Sequence, residues 1–223
     1  MTCIIASTRP EYDALARQLA RATGHHFVVI RSPRELTVKR LKRLAPRYVF
    51  FTHWSTWIPE SIYSRWECVI FHMTDVPYGR GGSPLQNLIV RGHKKTKLTA
   101  MRCVAALDAG PVYLKMPLSL EGKATDIFAR AAGLIQRMIL KIVKGTIQPR
   151  PQIGRPTLFK RRTPEQSDLV SLRRLADIYD YVRMLDAEGY PPAFLKAPHF
   201  RVIFKNAILK KGRLFADAQI TLS

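Results

Sequence analysis

Short apolar runs alternate with amphipathic stretches through the first third of the chain. Four of these runs have the length of buried strands and lie at residues 3–6, 27–30, 48–51 and 68–71. Between the first two, Leu15 and Leu19 are four positions apart, which predicts a helix over residues 10–22 that ends before Gly24. Strands joined by helices in this way are typical of a mostly parallel sheet in an α/β fold.

The second predicted helix begins with a set of capping signals. Ser32 is predicted to be its N-cap, with Pro33 at the first helical position and Glu35 as the reciprocal capping partner. Leu41 would then face the core, and Pro46 would end the helix before the third strand.

A further pair of strands and a long helix follow the fourth strand. The strands are predicted at residues 99–104 and 111–118, separated by a turn at residues 107–110. The helix is predicted over residues 125–144, because its apolar positions recur at helical spacing and Gly145 ends the pattern.

The last third of the chain predicts a small appendage. Residues 148–156 are rich in proline and are predicted to be a linker. A helix at residues 171–185 and two strands on either side of a turn at Lys211 would follow. We therefore expect a main domain of residues 1–155 and a C-terminal domain of residues 156–223, made of a helix and a β-hairpin.

The chain carries a large excess of positive charge. Its 37 Lys and Arg residues against 16 Asp and Glu residues leave a formal net charge of +21 over 223 residues. Such a charge favours phosphates, nucleic acid or acidic surfaces as partners without selecting among them. A tRNA or another polyanion is one candidate partner, and a solvated basic surface is the alternative interpretation.

Cysteine usage and hydropathy indicate a cytoplasmic protein. Cys3, Cys68 and Cys103 are far apart within apolar stretches and match no zinc-ligand spacing, so we expect buried, reduced thiols and no metal. No window approaches the roughly 20 apolar residues of a membrane-spanning helix, and the first residues lack the features of a signal peptide. We expect no membrane partner. A homodimer is compatible with the sequence but is not indicated by it.

The loop after the fourth predicted strand has the residue types of a ligand site. Residues 72–86 are HMTDVPYGRGGSPLQ, and α/β sheets place ligands at the carboxyl ends of parallel strands. The glycines of this loop would let its backbone approach a bound molecule closely. Arg80 could hold an anionic group there.

This loop resembles that of the folate-dependent formyltransferases. The family pattern runs His, two small residues, two apolar or variable residues, Pro, two variable residues, Arg-Gly, two small residues and Pro-Leu or Pro-Ile, as from His72 to Leu85 here. The match continues to residues 107–110, LDAG, which are similar to the family's Asp-Thr/Ala-Gly signature. The resemblance implies a Rossmann-like main domain, N10-formyltetrahydrofolate as co-substrate and a primary amine as formyl acceptor.

The resemblance also implies which residues surround the reacting groups. The catalytic pair would be His72 and Asp108. The residues aligned with the family's pterin pocket are Phe51, Thr52, His53, Leu85, Val104 and Leu107. The residues expected to face the acceptor are Thr74, Tyr78, Arg80 and Arg183.

His72 and Asp108 suit formyl transfer chemically. The acceptor amine must be neutral to attack and must then lose a proton, which an imidazole can accept. A carboxylate beside the imidazole would orient the ring and favour its charged form. Since both residues end adjacent strands or loops, we expect them on one rim of the sheet. The alternative interpretation of Asp108 is a turn carboxylate that caps Gly110.

One position departs from the family pattern. The family carries an asparagine two residues before the histidine, where its amide donates to the formyl oxygen, and this chain has Ile70. Loss of one such donor typically costs a factor of about 10² to 10³ in turnover. Protonated His72, Thr52, His53 and Asn87 are candidates to replace it. A catalytically weak folate-binding or nucleotide-binding protein is the alternative.

The C-terminal part bears on the identity of the acceptor. Residues 161–167, RRTPEQS, and residues 189–194, GYPPAF, resemble segments of formyltransferases that act on UDP-linked aminoarabinose. This resemblance, together with cationic side chains that suit a diphosphate, places a nucleotide-linked amino sugar first. Initiator methionyl-tRNA is ranked second, because the appendage is shorter than the nucleic-acid-binding domain expected of such enzymes.

Overall fold

The structure, a computed structural model, describes residues 1–10 and 12–222. In chain order its strands are β1 (Thr2–Ala6), β2 (His26–Ile30), β3 (Tyr48–Phe51), β4 (Glu67–His72), β5 (Tyr78–Gly81), β6 (Lys95–Arg102), β7 (Val112–Ser119), β8 (Thr157–Phe159), β9 (Ala193–Lys196), β10 (Phe200–Lys210) and β11 (Arg213–Leu222). Its α-helices are α1 (Tyr12–Thr23), α2 (Val38–Leu44), α3 (Glu60–Tyr63), α4 (Pro84–Val90), α5 (Ala124–Val143) and α6 (Leu175–Arg183). The α/β class predicted from the sequence is confirmed.

A six-stranded sheet in the order β2-β1-β3-β4-β6-β7 contains the first four strands. β1 pairs in parallel with β2 and β3, and β3 pairs in parallel with β4. β6 runs antiparallel to β4, with His72 opposite Thr99. The predicted mostly parallel sheet is confirmed. Because β2 and β3 lie on opposite sides of β1, the strand order reverses there, and such sheets bind ligands beyond the carboxyl ends of their strands.

A buried apolar cluster joins the parallel strands to α2. Alternate residues of two neighbouring strands, Ile4 and Ala6 in β1 and Val49 and Phe51 in β3, share this cluster, as the two-residue period of a strand requires. Leu41 of α2 belongs to the same cluster and is fully buried. The helix therefore covers one face of strands that are themselves apolar on both faces.

The helix predicted after β2 forms as two separate pieces. Pro33–Glu35 makes a short 3-10 turn, and α2 begins after Thr37. The Thr37 hydroxyl accepts from the backbone N–H of Arg40, whereas Ser32 makes no capping hydrogen bond. The Ser32 hydroxyl instead donates to the carboxylate of Glu35. The prediction that Ser32 caps the helix is therefore wrong, because a second capping residue lies closer to the first helical turn.

The later elements form near their predicted positions, with one exception in the predicted linker. The helix predicted over residues 171–185 is the shorter α6, and α5 and the β10–β11 hairpin have counterparts in the prediction. Residues 148–156 are not a free linker: Arg150 and Val112 exchange two backbone hydrogen bonds, and the Thr157 N–H donates to Pro77. The elements that have no counterpart in the sequence prediction are α3, β5, α4, β8 and β9.

The chain divides into two compact units that are not continuous in sequence. The first unit comprises Met1–Arg80, Lys97–Met116 and Ala131–Thr157. The second comprises Gly81–Thr96, Pro117–Arg130 and the chain from Leu158 onward, and it contains a three-stranded antiparallel sheet in the order β11-β10-β9. A two-domain division at residue 155 stays a prediction.

The structure shows the state of the three cysteines and the character of the helices. Cys3 and Cys68 are buried, Cys103 is half-buried, and all are free. Burial raises the pKa of the Cys3 thiol to about 11, so the thiol is protonated at neutral pH. Within residues 1–10 and 12–222, no helix combines the length and apolar character needed to cross a membrane.

Truncation of the α2 contact is expected to destabilise the first unit. Leu41→Ala should lower the free energy of unfolding by about 2 to 5 kcal/mol, because it leaves a cavity in a fully buried cluster. Urea titration followed by circular dichroism measures the change. Lys42→Ala, at the next and exposed position, is the control and should change the free energy by less than about 0.5 kcal/mol. Equal effects of the two substitutions would contradict the packing described.

Candidate active site

His72 is the last residue of β4 and lies beside Asp108. The two side chains are 9% and 10% exposed, and Nδ1 of the imidazole is 3.6 Å from Oδ2 of the carboxylate. On the other side of the ring, Nε2 is 2.8 Å from the carbonyl oxygen of Gly79. Because a carbonyl only accepts, Nε2 carries a proton in this arrangement and Nδ1 faces the carboxylate. The first unit therefore holds the predicted imidazole and carboxylate next to each other.

Asp108 reaches His72 by a different route from the one expected. β6 runs antiparallel to β4, so its last residue, Arg102, lies opposite Val69 and away from His72. Residues 103–110 must turn back before Asp108 can approach the imidazole. The loop after β6, and not the end of that strand, therefore brings Asp108 to His72, and the local pattern could not show this because it does not give the direction of a strand.

Asp108 lies in a tight turn with a left-handed backbone. Its φ is 49°, a conformation that aspartate tolerates better than most residues, and the Ala109 N–H donates to the carbonyl oxygen of Ala106. Gly110 follows in an enclosed position. A Cβ there would lie 1.8 Å from the carbonyl oxygen of Arg102, so only glycine fits. Steric fit therefore accounts for the glycine of the LDAG signature.

Arg80 is connected to this turn through Gln152. The Oε1 of Gln152 accepts from Nε and Nη2 of Arg80 at 3.1 and 2.8 Å. The Nε2 of Gln152 lies 2.9 Å from the carbonyl oxygens of both Asp108 and Gly110. Arg80, predicted to face the acceptor, is therefore connected through one side chain to the backbone of Asp108.

Two threonines hold the loop that follows His72. The Thr99 hydroxyl donates to the carbonyl oxygen of Thr74 at 2.7 Å. The Thr74 hydroxyl donates at 3.2 Å to the carbonyl oxygen of Gly79, which also binds His72. Both threonines are fully buried. The hydroxyl of Thr74, predicted to contact the acceptor, thus binds the backbone of its own loop. Thr99 lies within the stretch of sequence that resembles the family.

An ion group connects the same loop to β6 and β7. Asp75 receives Lys115 at 2.5 Å on one oxygen and Lys97 at 2.9 Å on the other. Burial raises the pKa of Asp75, but the hydrogen bonds and charges of the two lysines outweigh it, so the pKa lies below its usual value. Lys115 also donates to the carbonyl oxygen of Val76. These contacts keep the loop close to the sheet.

The residues predicted to line the pterin pocket divide between the two units. Those in the first unit are Phe51, Thr52, His53, Val104 and Leu107. The Thr52 hydroxyl is fully buried at the carboxyl end of β3 and has no hydrogen-bond partner among the described residues. A buried hydroxyl is costly to leave unpaired, so this oxygen is available to a ligand or to water. Leu107 is 53% exposed, and Leu85 is buried in the second unit.

Ile70 takes an apolar role at the position where the family has asparagine. It packs against the buried cluster of β1, β3 and α2, with Phe51 and Met101 as its neighbours in the adjacent strands. Among the candidate replacement donors, the Asn87 amide is already committed to three backbone carbonyls of the second unit, at 3.0, 3.1 and 2.9 Å. Thr52 is not committed in this way.

Arg183 is bound within the second unit. It is 3% exposed, and its Nε donates to Asp180 at 2.6 Å. Its Nη1 donates to the carbonyl oxygens of Leu120 and Gly122 at 2.6 and 2.8 Å. The guanidinium predicted to contact the acceptor therefore connects α6 to the end of β7. Tyr78, from the same prediction, is half-buried in β5 of the first unit.

The glycines after Arg80 approach protein backbone. A Cβ on Gly81 would lie 2.3 Å from the carbonyl oxygen of Phe159, and one on Gly82 would lie 2.6 Å from the Cα of Arg161. The expectation that these glycines make room for a bound molecule is wrong at both positions, since the nearby chain occupies the space. Glycines in a loop are ambiguous in this respect, because the absence of a side chain permits close approach to a ligand or to another part of the chain.

Cys103 is a third ionisable side chain near Asp108. Burial, and to a lesser degree the charge of Asp108, raise the pKa of Cys103 to about 11, which keeps that thiol protonated. Among residues 1–10 and 12–222 there is no group of three or more His, Cys, Asp or Glu side chains placed to hold a metal ion.

Comparisons with known proteins point to one family. The family model described as methionyl-tRNA formyltransferase, C-terminal domain, matches residues 164–221. The methionyl-tRNA formyltransferase of Thermodesulfovibrio yellowstonii is 26% identical over 174 residues, which cover 74% of this chain and 56% of that protein. The chain therefore spans about half the length of the curated relatives it matches.

Solved structures extend the similarity to the whole chain. A structure of methionyl-tRNA formyltransferase from Clostridium thermocellum matches with a TM-score of 0.96 and 42% identity, covering 100% of both chains. A sugar N-formyltransferase from Shewanella sp FDAARGOS_354 matches with a TM-score of 0.70 and 14% identity over 97% of this chain and 96% of that one. The second likeness shows a shared fold and no more.

The Asp75 ion group is expected to make stability depend on pH. A carboxylate whose pKa is lower in the folded state stabilises the protein above its unfolded pKa of about 3.9, and this contribution is lost as the pH falls through the folded value. Asp75→Asn should therefore lower the free energy of unfolding at pH 6, and the difference from the native chain should shrink toward pH 3. Urea titrations across this range measure it, with the exposed Glu188→Gln as control. A difference that is the same at both ends of the range would contradict the assignment.

Proposed function

The chain belongs to the formyltransferase family, and from this premise we propose that it transfers a formyl group from N10-formyltetrahydrofolate to a primary amine. The observation that carries the proposal is the approach of His72 Nδ1 to Asp108 at 3.6 Å in a largely buried position. The co-substrate supplies the electrophilic formyl carbon. The residues of this chain must then bind it, remove a proton from the amine and exclude water.

His72 is proposed as the general base through Nδ1. The Gly79 carbonyl holds the proton on Nε2, which leaves the Nδ1 lone pair directed toward Asp108. A gap of 3.6 Å is longer than a direct hydrogen bond, so an amine or a water molecule can meet both groups at this point. As the bond from the amine nitrogen to the formyl carbon forms, Nδ1 takes the proton released by the amine. When the bond from the formyl carbon to N10 breaks, N10 keeps the electron pair and receives this proton from the imidazolium, which yields tetrahydrofolate and returns His72 to its neutral form.

Asp108 is proposed to stabilise the imidazolium that this proton transfer creates. A carboxylate favours the charged form of a neighbouring histidine, and the effect is stronger where water is largely excluded. The Asp108 side chain is 10% exposed, so its charge is only weakly screened. Asp108 therefore stabilises His72 most strongly when the imidazole becomes positively charged.

Thr52 is proposed to contact the co-substrate. Its buried hydroxyl has no partner among the described residues, and it follows β3, the strand next to β4. A pterin ring offers amide-like donors and acceptors that would satisfy this oxygen. The same hydroxyl is the strongest candidate for the oxyanion donor that Ile70 does not provide.

The acceptor is proposed to carry phosphate groups. Arg80 and the formal charge of +21 favour an anionic acceptor, whether this is a tRNA or a nucleotide-linked sugar. Methionyl-tRNA is now placed first, because the C-terminal family match and the 42% identical structure both carry that name. The amino sugar, first on sequence resemblance alone, is the second candidate. It is supported by the similarity of residues 161–167 and 189–194 to sugar-specific enzymes.

Removal of the proposed base is expected to suppress formyl transfer. His72→Ala and Asp108→Asn should each lower kcat by about 10² to 10⁴, the usual contribution of general acid-base catalysis. The release of tetrahydrofolate from N10-formyltetrahydrofolate in the presence of acceptor measures the rate. His199→Ala, at an exposed histidine, is the control and should leave kcat unchanged. Wild-type rates in a folded His72→Ala variant would refute the proposal.

The missing amide at position 70 is expected to limit turnover. Ile70→Asn should raise kcat about tenfold or more, because it adds a donor where negative charge develops on the formyl oxygen. Ile70→Val, which keeps the site apolar, is the matched control and should leave kcat within about twofold. Single-turnover kinetics measure the chemical step, and a folded Ile70→Asn variant with an unchanged rate would contradict this role for position 70.

The two acceptors can be separated in one assay. Methionyl-tRNA and a panel of amino-sugar nucleotides are each supplied with N10-formyltetrahydrofolate, and formylated product is detected by mass spectrometry. We expect formylation of methionyl-tRNA with a rate that falls steeply as salt rises, because tRNA binding releases counterions. Product from the sugars alone would reverse the ranking. No product with any amine would overturn the proposed reaction.

A further inference from the structure

The segment that the sequence presents as a linker is fixed beside the active site. Arg150 pairs with Val112 at the start of β7, through hydrogen bonds of 2.7 and 2.9 Å. Seven residues later the Thr157 N–H donates to Pro77 in the loop after β4. Gln152 lies between these two attachments. Its backbone is therefore held in place on both sides, which limits where its side chain can reach.

The Gln152 side chain uses its donors and its acceptor fully. Both N–H groups of Nε2 have a carbonyl oxygen at 2.9 Å, one from Asp108 and one from Gly110. Its Oε1 accepts twice from Arg80. Nε2 also lies 3.7 Å from the sulfur of Met101 in β6. An amide is the side chain that can donate twice and accept twice in this way, and neither a carboxylate nor an ammonium group can replace it.

We propose that Gln152 is a positioning residue for the reaction, setting the place of Asp108 and the orientation of Arg80. This inference rests on the proposed function. Asp108 has a left-handed backbone in a loop that returns from the far end of β6, so the strand does not set its position. The two hydrogen bonds from Nε2 reach the carbonyls on either side of Ala109 and hold the turn that presents the carboxylate.

The neutrality of the amide matters for Arg80. A carboxylate at the same place would orient the guanidinium equally well but would cancel its charge. Gln152 orients the guanidinium and leaves the full positive charge available to an anionic group of the acceptor. One side chain therefore acts on the chemical step through Asp108 and on acceptor binding through Arg80.

A double-mutant cycle tests the effect on the chemical step. Gln152→Met keeps the side-chain volume but removes the amide, and a displaced carboxylate should lower kcat by about 10- to 100-fold. In the Asp108→Asn background the same substitution should lower the residual kcat by less than about threefold, since the carboxylate through which it acts is absent. Additive losses in the two backgrounds would overturn the positioning role. Gln148→Met, at an exposed glutamine of the same segment, is the matched control.

Gln152→Glu separates the two effects and covers the case in which Gln152→Met does not fold. The carboxylate still accepts from Arg80 but repels the two carbonyls and neutralises the guanidinium. We expect KM for the acceptor to rise about tenfold or more, with KM for N10-formyltetrahydrofolate unchanged. An unchanged acceptor KM in this variant would overturn the role assigned through Arg80.

Hydrogen exchange tests the same contacts without any assay of activity. The backbone amides of residues 108–110 should exchange about tenfold faster in Gln152→Met and Gln152→Glu, and at the native rate in Gln148→Met. Unchanged exchange at these amides would overturn the proposed hold on the turn. If the native chain transfers no formyl group to any amine, the proposed function fails, while the exchange result still decides whether Gln152 holds Asp108.

Discussion

Antiparallel pairing of β6 with β4 is the constraint on which the site depends. It takes the end of β6 to Arg102, opposite Val69, so the chain must fold back before Asp108 can meet His72. A loop that returns in this way cannot rely on the sheet for its position. It relies on a left-handed turn, on the close approach of Gly110 to Arg102 and on hydrogen bonds from outside the strand.

Neutral hydrogen-bonding groups hold the side chains and the loops of the candidate site. The Gly79 carbonyl accepts from both His72 and Thr74, and Thr99 supports the backbone of Thr74 in turn. Gln152 does the same for the Asp108 turn. Because such bonds add no net charge, they fix the geometry without neutralising Asp108 or Arg80, and burial makes each bond stronger than it would be in water.

Packing favours an apolar side chain at position 70, where the proposed reaction would favour an amide. Its side chain contacts the apolar cluster that joins α2 to the parallel strands, and an amide there would bring a polar group against that cluster. In the proposed reaction, this apolar contact stands where an amide would donate to the formyl oxygen. Thr52, buried without a partner among the described residues, is the group that could restore part of the lost stabilisation.

The sequence by itself determined the elements whose cause is local. Apolar runs and helical spacing placed β1 to β4, α1 and α5, because burial imposes a period that a short segment displays. The resemblance to the formyltransferases implied that His72 and Asp108 lie together, and folding brings Nδ1 of the imidazole to 3.6 Å from the carboxylate. Local signals failed where two of them competed, as when Thr37 rather than Ser32 capped α2.

Tertiary structure alone decided the direction of β6, the return path of Asp108 and the partners of Gln152. The direction of a strand depends on which neighbour it pairs with, and a glutamine in a proline-rich segment has no pattern of its own. Its donors acquire a role only once folding brings residues 80, 108 and 110 within about 3 Å of it. Hydrogen bonds between residues distant in the chain leave no periodic trace in the sequence, so only the folded chain reveals them.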